Sequence, residues 1–319
     1  MIHSSLTRFL RLVIMMRVYK SIEEAAEKNR VIVLGNFDGV HLGHQELLKL
    51  ARKIAAEKKL SLMVFTFYPQ GQELFVCEFA YLATQEKKLE MFEQMGVDEV
   101  LSIPFDENIA KVTPEDFAYI FLRQKLNAKE VVVGFNYTFG YKGSGKAEDL
   151  KNWLANDDIN VSIVPQLMVD GEIVSSSLIR QALLNGEIKK ANKMLGYPYS
   201  LKGEVVKGRQ VGRTIGIPTA NIAVWEQKVL PHKGVYASLV HYNGKKYLGV
   251  LNIGKRPTVN NGSDTTVEVH ILDFNADIYG EILEVELFDF LRDESKFEGL
   301  ESLKNQINSD MQKVREILG

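Results

Sequence analysis

The chain has 319 residues and a formal net charge of −2, and 45% of its residues are hydrophobic. This length predicts about two domains, and the composition suffices for a buried core in each. Because the charge is close to zero, bulk electrostatics does not support binding to nucleic acid or to an anionic membrane. No uninterrupted apolar segment approaches the roughly 20 residues that a membrane-spanning helix needs. We therefore predict a protein of the cytoplasm without nucleic-acid or membrane partners.

The chain begins with a short apolar stretch, Phe9–Met16, which is interrupted by an arginine and followed by a basic segment. It has no small-residue cleavage site, so we do not predict a signal peptide. Met15 and Met16 precede a segment that looks folded, which suggests that translation starts there and that residues 1–14 are dispensable. The single cysteine, Cys77, cannot form an internal disulfide, and with no histidine near it in sequence we expect it to pack rather than to act as a nucleophile.

The first strongly patterned segment joins a predicted strand to a predicted helix. Val31–Leu34 is an apolar run typical of a buried strand, Gln45–Lys58 has a helical pattern, and the glycines between them permit a tight turn. His41 and His44 are three residues apart, so we predict both on one face of the first helical turn. Backbone N–H groups and the helix dipole favour an anion there. The segment therefore predicts a phosphate site in which imidazole N–H groups position and stabilise the transferred group.

The residues around this histidine pair form the pattern Gly-x-Phe-Asp-Gly-x-His-x-Gly-His. We predict that Gly35, Phe37, Asp38 and Gly43 bind ATP or its phosphates. Gly43 would leave room for the nucleotide to approach the backbone, because it carries no side chain. The alternative is a structural pair, in which one histidine caps the helix and the other satisfies a buried carbonyl.

From about residue 30 to residue 185, β-rich runs alternate with helical patterns, which predicts a parallel sheet with crossover helices. Thr113 as N-cap and Pro114 at the first helical position predict a helix to about Leu126. Ligands of such sheets bind at the carboxyl ends of the strands, so Gly134–Gly140 and Gly35–His44 are candidates for one pocket. The runs that follow the first strand are Leu60–Thr66, Val100–Ile103, Glu130–Gly134 and Asn160–Pro165.

Three consecutive serines, Ser175–Ser177, precede a helical segment that contains Arg180. In an anonymous chain such a run is usually a helix N-cap and nothing more. Here we predict that Ser176, Ser177 and Arg180 neutralise a triphosphate from the side opposite the histidines, with Arg180 as a catalytic residue.

After about residue 198 the pattern changes to successive β runs without long helices between them, which predicts a small antiparallel barrel. Asn243-Gly244 predicts a hairpin turn, and Leu300–Leu318 has the spacing of a helix that packs on the barrel. We place the boundary near Pro198 and predict domains over 17–190 and 198–319. The predicted strands are Ser200–Val206, Gly234–Tyr242, Lys245–Ile253, Thr265–Leu272 and Ile282–Phe288.

The second domain begins with a glycine- and arginine-rich loop that ends in a short strand. Thr219 and Asn221 are two residues apart, so in a strand both point to one side, where they could ligate Mg²⁺ beside a phosphate chain. The alternative is a polar outer face. The residues of this loop that we predict to bind phosphate are Gly208, Arg213 and Gly216.

Glu268 lies in an alternating strand whose apolar residues take one face. A glutamate in such a strand is ordinarily a solvated charge. If the face opposite the apolar residues also carries Thr219 and Asn221, the carboxylate can accept a proton from a substrate hydroxyl.

With these segments in this order, the chain resembles the bacterial bifunctional riboflavin kinase/FMN adenylyltransferase (FAD synthetase) family from about Arg17 onward. Gly35–His44 and Ser175–Arg180 are similar to its adenylyltransferase signatures, and Gly212–Asn221 is similar to its kinase signature. The resemblance implies an α/β chain, with an N-terminal Rossmann-like nucleotidyltransferase domain and a C-terminal riboflavin-kinase-like barrel. Further kinase-like segments are Gly234–Ala237, Asn252–Thr258 and Leu291–Glu294.

The resemblance implies two Mg²⁺-dependent reactions. ATP phosphorylates riboflavin to FMN in the second domain, and another ATP adenylylates FMN to FAD with release of pyrophosphate in the first. It implies that Glu268 is the base for the ribityl hydroxyl, that Thr219 and Asn221 hold metal and phosphates, and that Asn136 and Arg292 contact flavin. It implies that the ATP phosphates of the first domain are bound by His41, His44, Ser176, Ser177 and Arg180.

Two segments depart from the family pattern. Many relatives carry Pro-His-Pro where this chain has Tyr68-Pro69-Gln70, and Asp-Phe where it has Asn136-Tyr137. Asparagine keeps a hydrogen-bond acceptor but loses the negative charge. The alternatives are a chain with one working half, an enzyme that adenylylates another phosphorylated metabolite, and a flavin-binding regulator without turnover. The oligomeric state is left open.

Overall fold

The computed structural model describes residues 16–25, 28–68, 80–208, 212, 216–255 and 265–319. The chain packs as two compact units. Of the described residues, the first unit comprises those within 16–37, 44–68 and 85–165, and the second comprises those within 38–43, 80–84 and 166–319. The predictions for residues 1–14 and for Met15, Pro69, Gln70, Cys77, Arg213 and residues 256–258 lie outside the described residues.

The first unit is built on a six-stranded parallel sheet with the order β1-β4-β3-β2-β5-β8. Its strands are β1 (Arg17–Tyr19), β2 (Arg30–Leu34), β3 (Ser61–Tyr68), β4 (Glu99–Pro104), β5 (Ala128–Gly134) and β8 (Asn160–Val164), and β6 (Thr138–Phe139) and β7 (Gly145–Lys146) form a separate ribbon. Its helices are α1 (Leu42–Lys58), α2 (Gln85–Gln94), α3 (Glu107–Ala110), α4 (Pro114–Asp116) and α5 (Ala147–Leu154).

The parallel sheet and its crossover helices confirm the predicted fold of the first half. Strand β2 is apolar after Arg30, and every one of its residues is buried, as expected of a parallel strand covered on both faces. Thr113 caps α4 by accepting the N–H of Asp116, and Pro114 occupies the first turn. The helix then continues as a π-helix over Phe117–Lys125, which the sequence pattern did not predict.

Strand β1 was not predicted; it pairs with β4 through its backbone and makes a side-chain hydrogen bond to a buried ion pair. The hydroxyl of Tyr19 on β1 donates to Glu99 on β4 at 2.9 Å, and the guanidinium of Arg30 donates to the same carboxylate at 2.9 Å. Burial would raise the pKa of Glu99, but hydrogen bonds from Lys28, Arg30 and Tyr19 outweigh it and lower the pKa. Both members of the Arg30–Glu99 pair are almost completely buried.

The second unit contains a closed barrel with the strand order β11-β12-β15-β14-β13-β16, in which β16 also pairs with β11. All of these pairings are antiparallel, which confirms the predicted barrel. The strands of the unit are β9 (Met168–Val169), β10 (Glu172–Ile173), β11 (Tyr199–Val206), β12 (Ala220–Val224), β13 (Gly234–Tyr242), β14 (Lys245–Lys255), β15 (Thr265–Ile271) and β16 (Ile282–Arg292). The helices are α6 (Ser176–Leu184), α7 (Ile188–Leu195) and α8 (Leu300–Leu318).

Two local predictions in the barrel are confirmed. Asn243 and Gly244 have φ values of 47° and 72°, as a type I′ hairpin turn requires. Helix α8 has the predicted bounds and packs Val314 against Val235 and Val250 on the outer face of the barrel. Among the described residues, none of the helices combines the length and the apolar character needed to cross a membrane.

Candidate active sites

The connection from β2 to α1 is a strained turn whose aromatic residue is part of the core. Phe37 has a positive φ of 55° and no exposed surface. Its ring lies 5.0 Å from that of His44 and 5.4 Å, edge to face, from that of Phe92. A Cβ on Gly35 would stand 3.0 Å from the Phe37 ring, so glycine there makes room for the aromatic. Any contribution of Phe37 to nucleotide binding therefore comes from its backbone.

His41 precedes the helix instead of lying on its first turn, because α1 begins at Leu42. His44 is the third residue of the helix, as predicted. The side chain of His41 is only 7% exposed, and burial lowers its pKa from 6.5 to about 4, although a backbone hydrogen bond acts in the opposite direction. His41 is therefore neutral at physiological pH, and its ring offers one N–H donor and one acceptor.

Gly43 lies directly beside the ring of His41. A Cβ at this position would lie 3.2 Å from Cε1 and Nδ1 of the His41 ring. Glycine at this position therefore leaves room for the imidazole of His41, and the approach of the nucleotide to the Gly43 backbone stays a prediction.

Asp38 is the centre of a buried hydrogen-bond cluster in the second unit. Its carboxylate accepts the backbone N–H groups of Leu82 at 2.9 Å and Ala83 at 3.3 Å, and it forms an ion pair with Arg180. The Arg180 Nε also donates to the carbonyl of Ala80 at 2.9 Å. The side chain of Asp38 thus pairs with Arg180 and organises the turn. Its predicted contact with the phosphates of ATP stays a prediction.

The serine run meets the Asp38 turn at the start of α6. Ser175 caps the helix by accepting the N–H of Leu178 at 3.3 Å, which is the structural role considered above. Ser176 donates to the carbonyl of Asp38 at 2.9 Å. Ser177 is exposed. The structure therefore brings Ser176 and Arg180 together with the turn that carries His41, within one unit.

The loop after β5 contains Asn136, the predicted flavin contact of the first half. Asn136 is exposed, and its Oδ1 lies against Gly134. Tyr137 donates its backbone N–H to the carbonyl of Gly134 at 3.0 Å and stacks on Phe139, and burial raises the pKa of its hydroxyl. That this loop shares a pocket with Gly35–His44 stays a prediction.

On the outer wall of the barrel, three polar residues stand side by side on adjacent strands. Asn221 on β12 is paired with Glu268 on β15, and Glu268 is paired with Asn252 on β14. Directly opposite residues of an antiparallel pair share one face, so the three side chains form what we call the polar row. Glu268 is half-buried, its neighbours Val267 and Val269 are buried in the barrel core, and Asn252 is a member of the row that we did not predict.

The loop before β12 supplies two further contacts to the polar row. Thr219 donates its hydroxyl to Glu268 Oε2 at 3.4 Å. A Cβ on Gly208 would stand 2.2 Å from Nδ2 of Asn221, so only glycine allows the loop to pass this close to the carboxamide. Gly216 is exposed with a φ of 77°. The predicted association of Thr219, Asn221 and Glu268 is thus present in the geometry.

Arg292, the predicted flavin contact at the end of β16, forms a two-pronged ion pair with Asp310 of α8. Its Nη2 and Nε donate to Asp310 Oδ2 at 2.8 and 3.0 Å, and Asp310 is fully buried. Gln306 also donates to Asp310, at 3.0 Å. This guanidinium therefore ties α8 to the barrel, a role that the sequence pattern did not indicate, because Asp310 lies 18 residues away in a helix of mixed charge.

Comparison with known proteins decides between the functions that this geometry allows. A family model described as FAD synthetase matches residues 23–178, and one described as riboflavin kinase matches residues 195–318. The bifunctional riboflavin kinase/FMN adenylyltransferase of Listeria monocytogenes is 40% identical over 296 residues, which cover 92% of this chain and 94% of that protein. The protein of the same name from Escherichia coli K12 is 37% identical over 308 residues, which cover 96% and 98%. The chain belongs to this family.

A solved structure of similar sequence supports the fold. A crystal structure from Streptococcus pneumoniae, described as a macrolide-efflux protein, matches with a TM-score of 0.86 and 35% identity, covering 94% of this chain and 98% of that one. This likeness supports the fold, and the efflux activity in its description stays with that protein. The chain is thus a bifunctional enzyme with an ATP-using adenylyltransferase half and an ATP-using riboflavin kinase half. The Asp38 cluster extends two residues beyond the FAD synthetase match, to Arg180.

Proposed function

We propose that the two reactions occur at separate sites, with adenylylation assigned to residues 17–190 and phosphorylation to residues 198–319. The observation that carries the kinase assignment is the polar row, in which the Glu268 carboxylate lies beside Thr219 and in register with Asn221. The adenylyltransferase assignment is supported by the proximity of Ser176 and Arg180 to the turn that precedes His41.

In the kinase reaction, Glu268 accepts the proton of the terminal ribityl hydroxyl of riboflavin. The freed oxygen forms a bond to the γ-phosphorus of ATP while the bond from that phosphorus to the β–γ bridging oxygen breaks, which gives FMN and ADP. Such a reaction depends chiefly on positioning and charge stabilisation. Thr219, Asn221, Gly208 and Gly216 position the phosphates, and the Arg292–Asp310 pair holds α8 beside the barrel wall where the flavin binds.

The polar row and Thr219 offer a hydroxyl, carboxamide oxygens and one carboxylate, which are hard donors suited to Mg²⁺. No group of three His, Cys, Asp or Glu side chains that could hold a metal occurs among the described residues. Mg²⁺ is commonly held by one or two protein groups together with substrate phosphates and water. Thr219 and Asn221 would hold the ion, which neutralises charge on the transferring phosphate when bound.

In the adenylyltransferase reaction, a phosphate oxygen of FMN forms a bond to the α-phosphorus of ATP while the bond to the departing pyrophosphate breaks. His41 donates an N–H from a neutral ring, since its pKa is lowered to about 4, and thereby stabilises charge without acting as a base. His44, Ser177 and Arg180 complete the phosphate contacts, and the ion pair with Asp38 orients the guanidinium of Arg180. Asn136 contacts the flavin through its exposed carboxamide.

Three single-site variants test the separation of the sites. His41→Ala should abolish FAD formation from FMN and ATP but leave FMN formation from riboflavin within about twofold of the wild type. Glu268→Gln should have the opposite effect, as should Asn221→Ala. In each variant the activity that is retained shows that the protein is folded. Both activities are measured by chromatography of riboflavin, FMN and FAD. Loss of both activities in a folded variant would contradict separate sites.

The same assay decides the alternatives. A chain with one working half would accumulate FMN or would use only supplied FMN, and a flavin-binding regulator would bind flavin without consuming ATP. The polar row favours a working kinase. We further propose that the enzyme acts in the cytoplasm and on small molecules alone, namely riboflavin, FMN, FAD and ATP.

A further inference from the structure

A short segment, Ala80–Ala83, links the Asp38 cluster to a loop of the barrel within the second unit. On one side, its backbone forms hydrogen bonds with Arg180 and Asp38 of the segments that resemble the adenylyltransferase signatures. The carbonyl of Ala80 accepts from Arg180, and the N–H of Leu82 donates to Asp38 at 2.9 Å. The position of the Asp38–Arg180 pair therefore depends on where this segment lies.

On its other side, the segment is fixed to the connection between β12 and β13, residues 225–229. Tyr81 donates its N–H to the carbonyl of Gln227 at 2.6 Å and accepts the N–H of Val229 at 2.9 Å. Its ring stacks on that of Trp225, with centroids 5.5 Å apart and planes 18° from parallel. The segment is thus held as if it were one more strand against the barrel loop.

Lys228 is the charged residue at the centre of this contact. It is 8% exposed, and its ammonium donates to the carbonyl of Leu82 and lies 4.0 Å from the centre of the Tyr199 ring. Tyr199 in turn donates its hydroxyl to the carbonyl of Val229 at 2.6 Å. Leu82 therefore gives its N–H to Asp38 and its carbonyl to Lys228, so that a single residue joins the two.

We propose that Lys228, although it lies in the riboflavin kinase half of the sequence, is a positioning residue for FMN adenylylation. It fixes the Leu82 peptide, which fixes Asp38, which orients Arg180 and the turn before His41. This inference rests on the proposed adenylyltransferase site. Hydrogen bonds from charged donors are among the stronger ones in proteins, and a misplacement of about 1 Å can cost on the order of 100-fold in rate.

The test measures both reactions in Lys228→Met, which keeps the length of the side chain but removes its charge and donor. We expect kcat for FMN adenylylation to fall roughly tenfold or more, because orientation and not ground-state binding is disturbed. KM for ATP in that reaction and both constants of riboflavin phosphorylation should stay within about twofold. Lys228→Arg should restore part of the lost kcat, and Lys246→Met, at an exposed hairpin lysine, should behave as wild type.

A second variant keeps the test decisive if Lys228→Met does not fold. Tyr81→Ala removes the stack on Trp225 from the other side of the contact and should lower kcat for adenylylation while sparing the kinase. The inference is overturned if adenylylation is unchanged in the folded variants, or if both activities fall in parallel. His41→Ala, assayed beside them, distinguishes failure of the proposed adenylyltransferase site from failure of the role of Lys228. If His41→Ala retains adenylylation, the proposed site is wrong. If His41→Ala loses adenylylation and the Lys228 and Tyr81 variants keep it, only the role of Lys228 is wrong.

Discussion

Acidification from about pH 7.5 to about pH 5 should destabilise the protein through His41. Burial lowers the pKa of this imidazole from 6.5 to about 4. Below pH 6.5, His41 of the unfolded chain therefore binds a proton, whereas His41 of the folded chain binds one only at about pH 4 and below. The stabilisation is fully present above pH 6.5 and is lost as the pH falls towards 4. The loss is about 2 kcal/mol at pH 5 and about 3 kcal/mol at its full extent.

The comparison that isolates this effect is between the wild type and His41→Gln, which keeps a polar side chain but does not titrate. Urea unfolding of both proteins across this range should show the free energies of unfolding converging as the pH falls, because only the wild type loses the His41 contribution. NMR titration of the ring signals of the chain's six histidines should find one that stays neutral to well below pH 5.5. Parallel stability profiles, or a His41 ring that titrates near 6.5, would refute the assignment.

Three further substitutions test other parts of the structure. Glu99→Ala leaves the Arg30 charge buried without its carboxylate, so urea unfolding should show a loss of about 3–5 kcal/mol; a loss below about 1 kcal/mol would contradict a tightly buried pair. Gly208→Ala places a methyl group 2.2 Å from Asn221 Nδ2, and initial rates of riboflavin phosphorylation should fall roughly tenfold or more while adenylylation persists; an unchanged rate would show that this approach is not needed. Glu268→Gln should show no recovery of phosphorylation at higher pH, since an amide cannot accept the proton; a rate that rises to the wild-type level would assign the base elsewhere.

Much of the fold is predictable from local pattern. Buried parallel strands are continuous apolar runs, and Asn243-Gly244 encodes its own turn, so these elements follow from sequence alone. Strand β1 is different, because three residues are too few to show a hydrophobic period. Its side-chain contact with the sheet is the hydrogen bond from Tyr19 to Glu99, which are 80 residues apart. The π-helix over Phe117–Lys125 also could not be predicted, because its sequence pattern does not differ from that of an α-helix.

The two candidate sites differ in how far sequence alone could describe them. The strand period correctly indicated that Asn221 and Glu268 share a face with Thr219 nearby, and the same alternation, between buried Leu251 and Ile253, could have identified Asn252. The ion pair of Asp38 with Arg180 joins residues 142 apart, and no local pattern reports such a partner. The sequence predicts both residues as phosphate ligands, a role that stays a prediction, and the structure adds that they pair with each other.

Mixing two variants that each lack one of the two activities tests separate consecutive sites most directly. Supplied with riboflavin, ATP and Mg²⁺, His41→Ala should stop at FMN, and Glu268→Gln should leave riboflavin unchanged. Together they should produce FAD, because FMN released by the first protein is a substrate for the second. Chromatography that finds FAD in the mixture but in neither separate reaction is the predicted result. Absence of FAD from the mixture, with FMN accumulating and both proteins folded, would contradict it.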